Sequence, residues 1–144
     1  MNTDIEQRIR ESFARQAIMT TIGASITHIG PGEVTIELPF RVEITQQHGF
    51  VHAGVVTTIV DNACGYAALS LMPPAAAVLT VEYKVNFLSP AVGDKLVATG
   101  RVLRPGRTLM VCLGEVVALT DGREKAVATM LATMIAREDT GLAG

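Results

Sequence analysis

The sequence has no tryptophan, and phenylalanine and tyrosine together make up only 4% of its 144 residues. It has no basic excess either: 12 Lys and Arg stand against 14 Asp and Glu, a formal net charge of −2. Proteins that bind nucleic acids use aromatic side chains to stack on bases and a basic surface to hold phosphates. Because both features are lacking, we expect no nucleic-acid partner.

Cysteine is also scarce. Cys64 and Cys112 are the only two, and no Cys-x-x-Cys motif is present, which favours a reduced compartment over a disulfide framework. The N-terminal stretch MNTDIEQRIRESFARQ lacks the apolar core of a secretion signal. The most apolar region, roughly residues 50–88, is interrupted by Asp61 and by Pro73-Pro74, unlike a membrane span. We therefore expect a cytoplasmic protein that does not associate with membranes.

The residue pattern predicts one α+β domain over residues 1–144. Apolar residues with helical spacing predict a first helix from Thr3 to about Met19, within an N-terminal helical segment 1–20. Residues 53–71 are apolar on almost every side, which is typical of a buried helix. Strands are predicted at 22–28, 33–38, 78–88, 96–104, 108–119 and 125–136. Runs of strands favour an antiparallel sheet, so we expect a curved antiparallel sheet wrapped around a central buried helix.

Alternation within the later strands predicts which side chains share a face. Leu79 and Val81 fall on one face with Tyr83, whereas Thr80 falls on the other. In the last strand, 125–136, one face is made of alanine and methionine only. Small side chains there are expected to let the helix approach the sheet closely.

Asp61 is out of place in the apolar helix. It is the only Asp, Glu, Lys or Arg between Glu43 and Glu82. Aspartate is a poor helix former, and a buried, unpaired carboxylate costs several kcal/mol. Three interpretations are open: a helix residue that faces solvent, a structural hydrogen bond at an interface, or a catalytic carboxylate whose pKa is raised by desolvation.

The segment before this helix also carries polar groups. Residues 46–54 read QQHGFVHAG, with amides, imidazoles and small residues. The unpaired N–H groups at a helix start can stabilise a developing oxyanion. Asp61 lies about 10–12 Å further along the helix axis, too far for one carbon atom to contact both. A two-fold dimer would bring Asp61 of one subunit to the helix start of the other.

His52-Ala53-Gly54, six residues, and then Asp61-Asn62 resemble the HGG-x(6)-D signature of PaaI-type hotdog thioesterases. The segment 79–90, LTVEYKVNFLSP, is similar to the strand that follows in that family, and the resemblance spans about residues 13–136. It implies a hotdog fold and an enzyme that hydrolyses acyl-CoA to a free acid and CoA. It also implies a homodimer or homotetramer, and no metal or cofactor is expected.

The resemblance further implies roles for individual residues. Asp61 either attacks the thioester carbonyl or activates a water against it. The Ala53 N–H, with Gly54 beside it, forms the oxyanion hole. Gln46 orients the carbonyl or the nucleophile, and Thr80 holds the attacking water. Two positions depart from the family: Ala53 replaces the first glycine, and Gln46 replaces the more common asparagine.

Other polar residues have a functional and a structural interpretation. His52 either polarises the carbonyl or fixes the loop. Four further residues are candidates for substrate contacts, among them contacts to the CoA phosphates. They are Gln47, a neighbour of Gln46, and Asn62, Asn86 and Arg107. For Arg107, after the Pro105-Gly106 turn, a solvated charge is the alternative. A further set either lines an acyl tunnel or belongs to the core, and it comprises Phe50, Tyr66, Leu69 and Met72.

Two other functions compete with hydrolysis. A hotdog hydratase or dehydratase would pair His48 or His52 with Asp61 for proton transfer at carbon. A non-enzymatic acyl-CoA-binding module would need no catalytic Asp61. A thiol nucleophile at Cys64 is disfavoured because no base or pKa-lowering group is evident. A metal site is disfavoured as well, because the spacing of His48, His52, Asp61 and Cys64 matches no standard ligand pattern.

Overall fold

The computed structural model describes residues 3–138 and 141–142, so both ends of the expected 1–144 domain lie outside the described residues. Within these ranges a six-stranded antiparallel sheet has the order β1-β2-β4-β5-β6-β3. The elements are α1 (Thr3–Ala14), α2 (Ala17–Ile22), β1 (Ser25–Gly30), β2 (Glu33–Pro39), a 3-10 turn (Val42–Ile44), α3 (Ala53–Leu69), β3 (Ala77–Phe87), β4 (Lys95–Pro105), β5 (Leu109–Thr120) and β6 (Arg123–Arg137). No helix in the described ranges is both long and apolar enough to cross a membrane.

Helix α3 packs across the sheet against β2 to β6, and together they form the hydrophobic core. Ile59, Val60 and Ala63 of α3 are completely buried. Met130 and Met134 of β6 lie in the same core. The prediction of a curved antiparallel sheet around a central buried helix is therefore confirmed, and the arrangement is the hotdog fold.

Two glycines set the closest approach between helix and sheet. Gly100 of β4 and Gly114 of β5 lie directly opposite each other. A Cβ atom at Gly100 would stand 2.4 Å from the Ala63 carbonyl carbon, and one at Gly114 would stand 2.5 Å from Val60 Cγ2. A Cβ at Gly100 would therefore require the helix backbone to move, and one at Gly114 would require the Val60 side chain to shift.

Ala128 and Ala132 of β6 are buried as expected. Ala126 is exposed instead, because the register to β5 shifts there and Val127 turns inward. Helix α3 is seated most tightly over β4 and β5.

The N-terminal segment differs from the predicted single helix to about Met19. Helix α1 ends at Ala14, and Arg15 and Gln16 donate three-residue turn bonds to Ser12 O and Phe13 O. Gln16 has extended backbone angles and precedes α2. Its side chain turns toward α3 and bonds there. Contacts with α3 therefore override the local helical pattern.

The predicted face alternation of β3 is wrong at its centre. The register to β6 shifts between Thr80, which lies opposite Met134, and Glu82, which lies opposite Thr133. Val81 is thus the extra residue of a β-bulge. After the bulge Tyr83 lies opposite Ala132, a buried residue like Met134. Thr80 and Tyr83 therefore share the face toward α3, whereas strict alternation had separated them.

Candidate active site

Asp61 lies about two turns into α3 and is half-buried. Thr80 Oγ1, placed by the β3 bulge, donates a 2.8 Å hydrogen bond to Asp61 Oδ1. Asp61 forms no ion pair with any described residue. Burial raises the pKa of Asp61 above its ordinary value, and the Thr80 hydrogen bond offsets part of that rise. The carboxylate is therefore more basic than an exposed aspartate.

A groove between α3 and β3 gives access to this carboxylate. One face of α3 presents Gly54, Thr58 and Asp61 to it, and Tyr83 and Val85 of β3 form the facing wall. Its volume is about 400 Å³. The threonine hydroxyl is not free, since Thr58 Oγ1 donates to Gly54 O at 2.8 Å. Asp61 is the only carboxyl group among the described residues that line the groove.

The start of α3 offers one unused backbone donor. His52 is the N-cap: its Nδ1 accepts from the Gly54 N–H at 2.8 Å, and its carbonyl accepts from Val55 and Val56. The Ala53 N–H has no acceptor in the part of the chain that the structure describes. Of the two predicted oxyanion donors, Ala53 is thus open and Gly54 is engaged. His52 acts here as a capping residue.

Gln46 organises the loop before α3. Its Oε1 accepts from the His48 N–H at 2.5 Å and from the Phe50 N–H at 3.4 Å. A bridge between Thr45 and Val51 closes the same loop. Within the described chain Gln46 Nε2 has no acceptor, so it remains available as a donor. Gln46, Gln47, His52 and Ala53 line one cavity of about 550 Å³ at the helix start, and Phe87 to Ala91 line its other side.

A second cavity of about 550 Å³ lies on the other side of Asp61. Asn62 and Tyr66 of α3 line it with Asp61, and Ser12 and Gln16 from the N-terminal segment complete it. Asn62 Oδ1 accepts from Gln16 Nε2 at 2.6 Å. Ser12 and Gln16 were not predicted as site residues. No local sequence signal marks them, because their place depends on packing against a helix some fifty residues away.

Asn86 and Arg107, which were predicted to contact CoA, lie far apart within one chain. Asn86 is exposed and pairs with Thr129 of β6. Arg107 is exposed in the β4–β5 turn, next to Leu109, which pairs with Ile135. The two partners on β6 are separated by about 20 Å of strand. Asn86 and Arg107 of one chain therefore cannot hold the same phosphate.

The two thiols lie in the core and are not reactive nucleophiles. Cys64 is buried, and desolvation raises the pKa of its thiol. Burial likewise raises the pKa of Cys112 to about 11, so neither sulfur is a reactive thiolate. Among the residues described, no three His, Cys, Asp or Glu side chains lie close enough to hold a metal ion. His48 is exposed on the loop.

The antiparallel sheet wrapped around α3 places the chain in the class of hotdog-fold proteins. Sequence comparison agrees: the chain belongs to the thioesterase superfamily, whose sequence model matches residues 48–125, from the loop before α3 into β6. Both α3 and the Asp61 region lie inside the match. The protein is a thioester hydrolase.

Individual proteins show the same relationship. A crystal structure of a thioesterase family protein from Silicibacter pomeroyi is 51% identical, with a TM-score of 0.90 over 97% of this chain and 99% of that one. Acyl-coenzyme A thioesterase 13 of Homo sapiens is 34% identical over 59% of this chain and 61% of its own length. The E. coli PaaI protein shares the fold, with a TM-score of 0.83 at 22% identity over 92% of this chain and 93% of PaaI.

Proposed function

We propose that this protein is a PaaI-type acyl-CoA thioesterase, which hydrolyses an acyl-CoA to a free acid and CoA. The observation that carries the proposal is Asp61: a half-buried carboxylate without an ion pair in the described chain, hydrogen-bonded by Thr80 and open to a groove. A carboxylate in this setting is desolvated enough to be reactive and accessible enough to meet a substrate. The human relative named above supports a CoA thioester as substrate.

Two chemical routes fit this geometry. In the first, Asp61 attacks the thioester carbonyl, the C–S bond breaks to release the CoA thiolate, and water hydrolyses the resulting acyl-enzyme anhydride. In the second, Asp61 removes a proton from a water that attacks the carbonyl directly, and the CoA thiolate leaves as the free acid forms. The Thr80 hydroxyl donates a hydrogen bond to Asp61, so its oxygen can accept a hydrogen bond from the attacking water. In both routes negative charge develops on the carbonyl oxygen. The open Ala53 N–H at the helix start would stabilise that charge.

The site requires two copies of the chain. Ala53 and Asp61 are separated by about 12 Å along α3, so one carbonyl carbon cannot meet both groups of a single helix. Strand β3 is the sheet edge nearest Asp61, and it exposes apolar side chains: Leu79, Val81, Tyr83 and Phe87. An exposed apolar edge readily pairs with a second copy. We infer a homodimer in which Asp61 faces the partner's α3 start, with a homotetramer as a further assembly.

The contacts to the rest of the substrate follow from the same arrangement. Gln46 and Gln47 line the cavity at the helix start, where the thioester would enter. Asn62 lines the cavity on the far side of Asp61. In a dimer, Asn86 and Arg107 would contact different parts of CoA or belong to different sites, because the two residues lie far apart within one chain. His52 would act by holding the helix start rather than by touching the carbonyl.

The decisive experiment measures thiol release from a panel of acyl-CoAs. We expect hydrolysis of at least one of them, and we expect Asp61→Asn to reduce kcat/KM by about 10³-fold. Asp121→Asn is the matched control, because Asp121 is an exposed aspartate in the β5–β6 turn. No thiol release from any acyl-CoA, or equal rates for the native protein and folded, dimeric Asp61→Asn, would refute the proposal.

A further inference from the structure

Strand β3 carries two opposite charges on its outer face, the face turned away from α3. Glu82 lies opposite Thr133 of β6, and Lys84 lies opposite Leu131. Both side chains are exposed, and neither forms an ion pair with another described residue. Thr133 Oγ1 donates a long hydrogen bond, 3.5 Å, to Glu82 Oε1. Because β3 is the last strand of the sheet, these charges stand at the edge where the proposed dimer forms.

The backbone of β3 has hydrogen-bonding groups at this edge that no described strand uses. On the other side of the strand, the Leu88 N–H donates to Val127 O. Successive N–H groups of a strand point to alternate sides, so those of Phe87, Val85 and Tyr83 point away from β6. The side chains of these three residues lie on the α3 face. A second β3 that pairs antiparallel with this edge therefore continues both faces of the sheet.

A two-fold axis at this edge restricts how two copies of β3 can be paired. One residue must lie opposite its own copy, and residues that face each other must share a face of the sheet. An axis at Glu82 sets two carboxylates together, and an axis at Lys84 sets two ammonium groups together. An axis at Val85 leaves Glu82 without a cation. Only an axis at Tyr83 sets each Glu82 opposite the partner's Lys84, which gives two ion pairs per dimer.

The spacing of the proposed active site selects the same axis. Thr80 of β3 bonds Asp61, whereas Phe87 of β3 lines the cavity at the α3 start together with Ala53. Asp61 therefore meets the partner's Ala53 when Thr80 lies close to the partner's Phe87. The axis must then lie midway between positions 80 and 87, which is between 83 and 84. Of these two positions, only 83 avoids a pair of like charges.

We propose that Glu82 and Lys84 are positioning residues that fix the register of the homodimer, with Tyr83 on the two-fold axis and Glu82 paired to the partner's Lys84. The pairs act on hydrolysis through the distance between Asp61 and the partner's Ala53. A slip to the next allowed register slides the two strands by about 7 Å, which separates these groups. The inference rests on the homodimer of the proposed function, and it names the contacts that align the two copies.

The test uses Glu82→Lys and Lys84→Glu, first separately and then mixed. Either variant alone gathers four like charges at the axis, so we expect the Kd of its dimer to rise roughly tenfold or more. Thiol release per molecule should fall as the dimer dissociates. An equimolar mixture brings opposite charges together, so dimers and thiol release should return to native levels. The double variant, with both substitutions in one chain, should also dimerise like the native protein.

Arg123→Glu is the control, because it makes the same change of charge as Lys84→Glu at an exposed position beside the β5–β6 turn. We expect its dimerisation and hydrolysis to be unchanged. Cross-linking measures the register independently. Across an axis at Tyr83 the two Cα atoms lie about 5.5 Å apart, within the range of a disulfide. Oxidised glutathione should therefore cross-link Tyr83→Cys but not Val85→Cys, since both native cysteines are buried.

The possible results separate this inference from the function on which it rests. Native association by both charge variants alone, or a mixture no more dimeric than its parts, would overturn the charge pairing. A cross-link in Val85→Cys but not in Tyr83→Cys would overturn the register. A monomeric native protein would overturn the inference together with the proposed dimer. Association is measured without substrate, so dimers that behave as expected but hydrolyse no acyl-CoA would refute the proposed activity alone.

Discussion

At the residue scale, the desolvation that makes Asp61 a candidate catalytic residue also has a cost in stability. The apolar packing around α3 raises its pKa, so at neutral pH folding must desolvate a charge that no described cation neutralises. The Thr80 hydroxyl offsets part of this cost by donating to the carboxylate. Functional residues commonly destabilise the fold in this way.

We therefore expect Asp61→Asn to raise the melting temperature by a few degrees at pH 7, because it removes a desolvated charge yet keeps an oxygen for Thr80. A carboxyl whose folded-state pKa is raised destabilises the fold above that pKa and ceases to do so below the unfolded value. The gain should therefore disappear as the pH falls below about 4. Scanning calorimetry of the native protein and Asp61→Asn, at pH 7 and at a pH below about 4, measures this gain in melting temperature. A lower melting temperature for Asp61→Asn than for the native protein at pH 7 would contradict the argument.

Thr80 gives a second test, which concerns pH dependence. In the proposed mechanism hydrolysis needs ionised Asp61, so kcat/KM should fall as the pH drops through the pKa of this carboxyl. Thr80→Val removes the hydrogen bond that lowers this pKa, so the acidic limb of the pH–rate profile should move to higher pH. Thr80→Ser keeps the hydroxyl and should leave the limb in place. An unmoved limb in Thr80→Val would show that the hydroxyl does not tune Asp61.

At the element scale, glycines determine how closely α3 can lie on the sheet. A Cβ at Gly100 would collide with the backbone of Ala63, which cannot yield without displacing the helix. Gly65, by contrast, lies within α3 and an added Cβ would meet nothing within 4 Å. The two positions therefore form a matched pair for the same substitution.

We expect Gly100→Ala to lower the free energy of unfolding by roughly 1–3 kcal/mol through overpacking. Gly65→Ala should instead raise it by about 0.5–1 kcal/mol, because alanine is the better helix former. Urea denaturation of both variants measures the difference. Equal effects would mean that α3 is seated less tightly than the distances indicate.

The elements also show where sequence patterns reach their limit. Helix α3 was predicted from a nearly continuous apolar run, and the six strands from short β-like runs separated by turn signals, which are all local features of the sequence. The end of α1 and the bulge at Val81 were not, since each is set by a partner elsewhere: α3 for Gln16, and β6 for Thr80. The same holds for the candidate site. Asp61 stood out from its apolar neighbours, whereas Ser12 and Gln16 carried no such contrast.

At the scale of the whole molecule, the proposed dimer depends on the exposed edge of the sheet, β3. Val81, at the bulge of β3, is 55% exposed. We expect Val81→Lys to yield monomers, because a charge on an edge strand opposes pairing. It should also abolish hydrolysis, although Asp61 and the α3 start remain unchanged. Analytical ultracentrifugation and the thiol-release assay together test this.

Leu103→Lys is the control for this experiment. Leu103 is similarly exposed at 54%, but it belongs to β4, which lies three strands from β3 in the sheet. We expect that variant to remain at least dimeric and active. If Leu103→Lys lost the dimer and Val81→Lys kept it, the result would show that the dimer interface does not lie at β3.

The separation of Ala53 from Asp61 along α3 also has a kinetic consequence. A reaction centre assembled from the carboxylate of one copy and the amide of another exists only while the copies are together. At high dilution the number of such centres follows the square of the protein concentration. Turnover per molecule would then decline as the enzyme becomes scarce, so abundance itself would set whether thioesters are hydrolysed.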